Sequence, residues 1–253
     1  MNRRQAITIT LAGGATLAGG TLTALAGPSE KAANAAVPLQ KNDVILFQGD
    51  SITDAQRSRE TQAIPNQAET LGRGYPTFIG PQLRAAYPDL DLKVYNRGCA
   101  GHRVPDLKNR WQKDTIDLKP AIVSILIGVN DFWHTLDGGY TGTLEDYQTG
   151  LTNLLESTRR ELPKVRLVVC QPFVLKCGVV KPEWFPAFTQ RIKAAREAAA
   201  KVDAIWVPFQ DAFDKVLADY PTVGPGYWAG DGIHPSLSGH ALMASTWREA
   251  VKI

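Results

Sequence analysis

Short apolar runs alternate with amphipathic segments along most of the chain, and the two patterns predict different elements. Continuous apolar runs rich in β-branched residues are typical of strands covered on both faces of a parallel sheet. Five such runs occupy residues 44–48, 92–96, 121–127, 165–170 and 204–209. Helical spacing of apolar residues lies between or after them, at residues 75–87, 104–113, 147–162, 186–202 and 236–251. The alternation predicts an α/β fold, a three-layer α/β/α sandwich around a five-stranded, mostly parallel sheet.

Three of the predicted strands end in small and polar residues. These endings are Gly49-Asp50-Ser51, the RGCAG segment at residues 97–101, and the GVND segment at residues 128–131. The carboxyl ends of parallel strands share one edge of a sheet, and ligands of open α/β sheets bind beyond that edge. We therefore expect the functional site there.

Composition and charge narrow the class of protein. The chain has 253 residues, of which 44% are apolar and 21% charged. These values fit one large globular α/β domain. The formal net charge is +3, but basic and acidic residues nearly balance beyond residue 35. The sequence has no basic stripe of the kind that nucleic-acid binders carry, so no nucleic-acid partner is expected.

The N-terminal 35 residues are typical of an export signal and linker. Arg3-Arg4 precedes an uncharged stretch over residues 5–28, and small residues suited to cleavage follow at Ala24-Leu25-Ala26 and Ala33-Asn34-Ala35. Paired arginines favour the twin-arginine route over general secretion. The alternative is a membrane anchor, but Gly and Thr dilute the apolar run that lipid demands. We predict a functional domain over residues 36–253, exported to the periplasm or the exterior, with no stable membrane span after cleavage.

The three cysteines are Cys99, Cys170 and Cys177. Cys170 and Cys177 are close enough in sequence to form a disulfide, and an odd count leaves at least one thiol free in a monomer. Their spacing fits no zinc pattern, so no metal site is predicted. Buried free thiols are the favoured interpretation.

Ser51 and the segment Asp231-Gly232-Ile233-His234-Pro235 predict nucleophilic catalysis. Ser51 directly follows a predicted strand, where its hydroxyl is either a nucleophile or a helix N-cap. A serine hydroxyl needs a base, and the imidazole of His234 needs an acceptor such as Asp231 to fix its tautomer. Asp131 and His134 have the same spacing and form a rival pair.

Three donors are candidates for binding the oxyanion that forms during acyl transfer. They are the Ser51 N–H, the Gly98 N–H and the side-chain amide of Asn130, all at predicted strand ends. Taken separately, Gly98 could be a turn glycine and Asn130 a capping residue. Asp50 and Asp54 flank the serine and suggest either a cation site or, preferably, turn hydrogen bonding.

Four blocks together resemble the GDSL-type esterases, or SGNH hydrolases. The blocks are Gly49-Asp50-Ser51-Ile52-Thr53-Asp54, Gly98, Gly128-Val129-Asn130-Asp131 and Asp231-Gly232-Ile233-His234-Pro235, and the resemblance covers about residues 42–251. The first block has Ile52-Thr53 where the family name has Leu. The resemblance implies a flavodoxin-like sheet, a nucleophilic Ser51, a basic His234 oriented by Asp231, the three oxyanion donors above, and no metal or organic cofactor.

The expected reaction is ester hydrolysis through an acyl-serine. Asp50, Trp133 and Trp228 are the predicted substrate-binding residues, because aromatic faces near the site can stack on sugar rings. The pattern is similar to that of bacterial members that deacetylate polysaccharides, which favours an acylated carbohydrate substrate. The alternatives are a general short-chain esterase or lysophospholipase, and a non-catalytic glycan-binding module on the same fold.

Overall fold

The computed structural model describes residues 38–253, and within them five strands form one sheet. The strands are β1 (Val44–Gly49), β2 (Lys93–Asn96), β3 (Ile122–Leu126), β4 (Arg166–Cys170) and β5 (Ile205–Val207). Their order is β2-β1-β3-β4-β5, and every neighbouring pair is parallel. The predicted five-stranded parallel sheet is confirmed. The predicted export signal and linker, residues 1–35, lie outside the described residues.

Nine α-helices accompany these strands in the described part of the chain. They are α1 (Ser51–Asp54), α2 (Ala68–Leu71), α3 (Tyr75–Ala86), α4 (Val104–Asp114), α5 (Val129–Leu136), α6 (Leu144–Glu161), α7 (Trp184–Lys201), α8 (Phe209–Asp219) and α9 (Leu237–Val251). The five predicted helices correspond to α3, α4, α6, α7 and α9. The sequence analysis missed α1, α2, α5 and α8.

The two faces of the sheet bury separate hydrophobic clusters. Ile45 and Phe47 pack on one face with residues of α3, α8 and α9. Leu46, between them in β1, packs on the other face with residues of α4, α6 and α7. This alternation follows from the two-residue period of a strand. The predicted three-layer sandwich is therefore confirmed.

Capping bonds and a tolerated proline account for the differences in helix boundaries. α6 begins three residues earlier than predicted because Thr143 and Asp146 form a reciprocal capping box. α7 begins at Trp184, ahead of the predicted Pro186, since proline is tolerated in the first turn of a helix. Ser236 caps α9 by accepting a hydrogen bond from the Gly239 N–H.

The three cysteines, all within the described residues, are free thiols. Cys170 is buried beside the Ser124 hydroxyl, and the Cys177 thiol donates to the Ala229 carbonyl. A Cys170–Cys177 disulfide is therefore absent. The favoured interpretation of buried free thiols holds for Cys99 and Cys170, whereas Cys177 is free but only half-buried. Among residues 38–253, no helix combines the length and apolar character that crossing a membrane requires.

The strand order predicts where in the sheet a ligand crevice opens. β1 and β3 are neighbours, but the chain reaches β2 on one side of β1 and β4 on the other side of β3. Connections leaving the two strands therefore diverge and open a crevice at their carboxyl ends. Ser51 follows β1 and Asn130 follows β3, so both lie at this crevice.

Candidate active site

Ser51 is the first residue of α1, directly beyond β1. Asp50, not Ser51, is the N-cap, because its Oδ1 accepts a hydrogen bond from the Ile52 N–H at 2.9 Å. The alternative interpretation of Ser51 as a helix N-cap is therefore wrong. Its hydroxyl instead lies 2.8 Å from Nε2 of His234.

His234 and Asp231 lie in a tight loop before α9. The loop is closed by an antiparallel bridge between Ala229 and Pro235. Asp231 Oδ1 accepts hydrogen bonds from the main-chain N–H groups of Ile233 and His234, at 2.9 and 2.7 Å. Its Oδ2 lies 2.6 Å from His234 Nδ1. One carboxylate thus both shapes the turn and orients the imidazole.

The contacts determine which ring nitrogen of His234 carries the proton. An ionised carboxylate only accepts hydrogen bonds, so Nδ1 carries the hydrogen that faces Asp231. Nε2 of the neutral ring is then left as an acceptor for the Ser51 hydroxyl. Partial burial raises the pKa of Asp231, but hydrogen bonds from the His234 ring and from two main-chain N–H groups outweigh it, so the pKa lies below its usual value.

The rival pair, Asp131 and His134, is not assembled. The Asp131 side chain is 1% exposed, and its Oδ1 accepts from the Val104 N–H at 3.0 Å. Arg191 donates to the Asp131 carbonyl, and the His134 ring lies beside Trp133. Asp131 therefore fastens α5 to α4 and α7 and does not orient an imidazole.

The Gly98 N–H is already engaged, because it donates to Asn96 Oδ1 at 2.8 Å. A Cβ at this position would lie 2.3 Å from the Asp54 nitrogen, so glycine is required by close packing against α1. These contacts disfavour the prediction that Gly98 is an oxyanion donor and fit the turn-glycine interpretation.

Gly101, three residues later, has open surroundings and an N–H without a described partner, unlike Gly98. Its φ of +77° is in the left-handed region, and no atom lies within 4 Å of the position of a Cβ. Its N–H makes no hydrogen bond with another described residue. The sequence analysis missed Gly101, although it lies in the same RGCAG segment as Gly98.

Asn130 lies in the first turn of α5, and its side chain is almost fully buried. Its Nδ2 donates one hydrogen to the His102 carbonyl at 3.1 Å. An amide nitrogen carries two hydrogens, so the second is left to point elsewhere. Asn130 is thereby held against the segment that contains Gly101.

Asp50 lies beneath Ser51 and is 1% exposed. This burial leaves its carboxyl little surface for a substrate and disfavours the prediction that Asp50 binds substrate. Asp54 Oδ2 accepts from Arg59 and from the Ala100 N–H, at 2.8 and 3.0 Å. Both carboxyls serve turn and loop hydrogen bonding, which was the preferred alternative to a cation site.

The two predicted tryptophans differ in their surroundings. Trp133, one turn beyond Asn130, lines an open cavity of about 710 Å³ with Leu136, Val179 and Trp184. Trp228 is half-buried against the hydrophobic cluster on the sheet face that α3, α8 and α9 cover. Its Nε1 is buried without a partner among the described residues. These contacts favour packing over sugar stacking for Trp228.

A match to a known family shows which family this chain belongs to. The model of the GDSL-like lipase/acylhydrolase family matches residues 47–242. The chain belongs to this family. The resemblance noted from the four sequence blocks is thus confirmed, and so are the fold and the class of carboxylic ester hydrolase.

The relatives of this GDSL-like acylhydrolase cover most of its length. An acetylxylan esterase of Geobacillus stearothermophilus is 34% identical over 205 residues, which span 79% of this chain and 90% of the relative. Its crystal structure has a TM-score of 0.75 at 32% identity, covering 85% of this chain and 96% of that one. A GDSL-like lipase candidate from Parabacteroides merdae has a TM-score of 0.82 at 43% identity, covering 86% and 99%.

Three further structures of the Geobacillus esterase are described as catalytic mutants. Each replaces one residue by alanine: a serine, an aspartate, or a histidine three positions after that aspartate. Asp231 and His234 have the same spacing in this chain.

Proposed function

We propose that Ser51, His234 and Asp231 are the catalytic residues of this esterase and that its substrates are O-acetylated carbohydrates. The observation that carries the proposal is the continuous chain of contacts from the Ser51 hydroxyl through the imidazole to the Asp231 carboxylate, at 2.8 and 2.6 Å. The residue types and the Asp–His spacing of the catalytic mutants in the Geobacillus esterase support the same assignment.

In the first half-reaction, Ser51 Oγ attacks the ester carbonyl carbon while His234 Nε2 takes the hydroxyl proton. Asp231 stabilises the resulting imidazolium without itself taking the proton. When the tetrahedral intermediate collapses, Nε2 returns this proton to the leaving alcohol and an acyl-serine remains. Water then attacks the acyl-serine by the same proton transfers, which releases the carboxylic acid and restores the Ser51 hydroxyl.

The negative oxygen of the intermediate needs donors that are aligned in advance. The Ser51 N–H, the Gly101 N–H and the second hydrogen of the Asn130 amide are the donors we assign. The first two make no hydrogen bond with other described residues. Gly101 takes the role that was predicted for Gly98.

Two features of the surface support a carbohydrate substrate. The side chains of Asp231 and His234 are 38% and 43% exposed, so the site is open enough for a bulky alcohol group. The cavity lined by Trp133 lies between α5, which carries Asn130, and the loop whose Val179 N–H donates to the Asp231 carbonyl. Its apolar aromatic wall and its charged residues Asp137, Lys181 and Glu183 can serve the two kinds of surface on a sugar.

Activity on two substrate types tests both parts of the proposal. The protein should hydrolyse 4-nitrophenyl acetate and release acetate from acetylated xylo-oligosaccharides, and Ser51→Ala should abolish both while the fold is retained. An organophosphonate should label Ser51. Labelling at another residue would overturn the assignment of the nucleophile. Preference for lysophosphatidylcholine or for simple short-chain esters over acetylated sugars would favour the alternatives of a lysophospholipase or a general esterase.

We also propose that residues 1–35 are an export signal and linker, cleaved to leave the esterase domain at residues 36–253 outside the cytoplasm. The basis is the paired arginines followed by a mildly apolar, uncharged stretch. In a bacterial host, the wild-type chain should be recovered shortened from the periplasm or the medium. The Arg3→Lys/Arg4→Lys variant should remain full-length in the cytoplasm. Unchanged export of this variant would instead indicate general secretion.

A further inference from the structure

One guanidinium, that of Arg110 on α4, joins two of the segments that form the site. Its Nη1 donates to Gln48 Oε1 at 2.9 Å, and its Nη2 donates to the Gly49 carbonyl at 3.4 Å. Both acceptors are in β1, directly before the turn to Ser51. On its other side, Nε of Arg110 donates to His102 Nδ1 at 3.2 Å.

His102 also contacts Asn130. Its carbonyl accepts the Asn130 Nδ2 hydrogen at 3.1 Å, so the peptide of residue 102 sets the rotation of the amide. A primary amide has two hydrogens in fixed positions, and holding one determines the direction of the other. The contacts therefore run from β1 through Arg110 and His102 to the amide that we assign to the oxyanion hole.

Arg110 is itself held firmly. Asp114, one turn along α4, accepts from Nη1 at 3.1 Å, and the Arg110 and Asp114 side chains are only 15% and 13% exposed. Gln48 is fixed as well, because its Nε2 donates to the Asp114 carbonyl and to the Thr115 hydroxyl. A guanidinium that is held by acceptors on two elements can act as a rigid brace.

The His102 ring must be neutral for this arrangement to exist. Nδ1 accepts the Arg110 hydrogen, so the ring proton is on Nε2. Burial, and then the charge of Arg110, lower the pKa of His102 below its usual value; Arg59 and Arg103 act in the same direction, and only Asp106 opposes them. The ring therefore remains an acceptor at neutral pH.

We propose that Arg110 is a positioning residue of the oxyanion hole, which acts through His102 to aim the Asn130 amide at the crevice beyond Ser51. This inference rests on the proposed function of Ser51 and Asn130. Lysine could not replace Arg110, because one ammonium on a flexible stem cannot reproduce a planar fork that meets acceptors on two elements.

The test measures kcat and KM on 4-nitrophenyl acetate, which reports the chemistry whatever the natural sugar is. Arg110→Lys should lower kcat by about 10-fold or more and leave KM within about twofold, as expected for lost alignment in the transition state. In an Asn130→Ala background, Arg110→Lys should lower kcat by less than about threefold, because the effects of residues that act through one another do not add.

Arg159→Lys is the matched control. Like Arg110, Arg159 donates to acceptors on two segments, here the main-chain carbonyls of Val165 and Val202, at 2.6 and 2.8 Å. These carbonyls lie outside the crevice, before β4 and after α7. This variant should lose stability comparably and keep its kcat. An equal loss of kcat in both control and test would mean that Arg110 matters only for folding.

A second pair of variants keeps the test decisive if Arg110→Lys fails to fold. His102→Asn retains an acceptor near the Nδ1 position and should keep kcat within about threefold, whereas His102→Leu should lose it as Arg110→Lys does. An unchanged kcat in His102→Leu, or equal losses in the wild-type and Asn130→Ala backgrounds, would overturn the inference alone. Retained activity in Ser51→Ala would instead overturn the proposed function on which it rests.

Discussion

Replacing Asp50 by asparagine should stabilise the protein at neutral and alkaline pH. The Asp50 carboxyl is 1% exposed, and its Oδ2 has no hydrogen-bond partner among the described residues. Burial raises the pKa of Asp50 from 3.8 to about 7; the hydrogen bond from the Ile52 N–H lowers it, and the nearby Asp131 raises it again. The folded protein therefore opposes the ionisation of this group.

The sign and size of the effect follow from proton linkage. Between about pH 4 and pH 7 the folded protein keeps the Asp50 proton while the unfolded chain releases it, so the free energy of unfolding falls as the pH rises. One pKa unit corresponds to about 1.4 kcal/mol, and the shift from 3.8 to about 7 therefore costs about 4 kcal/mol once both states are ionised. Asparagine cannot ionise, and its Oδ1 can still accept from the Ile52 N–H.

The measurement is the free energy of unfolding in urea, taken from pH 4 to pH 8 for the wild type and Asp50→Asn. The two proteins should be similar near pH 4, and the variant should gain stability with rising pH, up to about 4 kcal/mol at pH 8. Asp137→Asn is the control, because Asp137 is exposed and accepts one main-chain N–H, that of Gly139.

A constant difference between wild type and Asp50→Asn across this pH range would refute the reasoning. Such a result would mean that Asp50 ionises as easily in the folded protein as in the unfolded chain. A loss of stability that grows with pH would be a stronger contradiction, since it would require a cation to stabilise the Asp50 carboxylate.

Four further substitutions test other parts of the site. Asn130→Ala should lower kcat by about 10² to 10³ with little change in KM, because it removes one proposed oxyanion donor; a raised KM with unchanged kcat would contradict this role. His234→Ala should remove nearly all esterase activity and Asp231→Ala somewhat less, and kinetics of the double variant should show losses that do not add. Gly98→Ala should lower the melting temperature, because its Cβ would lie 2.3 Å from the Asp54 nitrogen; an unchanged melting temperature would contradict the packing described for Gly98.

The fold was largely predictable because its signals are local and repeated. The strands other than β2 are largely apolar, since both faces of the sheet are covered by helices. The missed helices lacked such a signal. α5 begins inside the GVND segment, whose glycine and asparagine predict a turn, and α8 directly follows Pro208 at the end of the shortest strand.

The pairing of Asp231 with His234 could also be predicted, because this signal too is local. Asp231 and His234 are three residues apart, and one turn closed by the Asp231 carboxylate brings them together. Chain connectivity alone places the acceptor beside the imidazole. What the sequence could not provide is the contact with Ser51, 183 residues away, which depends on the sheet.

The proposed oxyanion donors depend on contacts that no short segment contains, and these contacts disfavour the predicted donor Gly98. Two glycines lie three residues apart after β2, and only the packing of α1 against Gly98 and the engaged Asn96 amide separate their roles. The same is true of Arg110, whose guanidinium becomes relevant only when α4 lies against the end of β1. One turn of the chain can place a base beside its carboxylate, whereas the proposed oxyanion donors come from segments that follow three different strands. We therefore expect sequence patterns to locate the acid–base residues of such sites more readily than the donors and the residues that brace them.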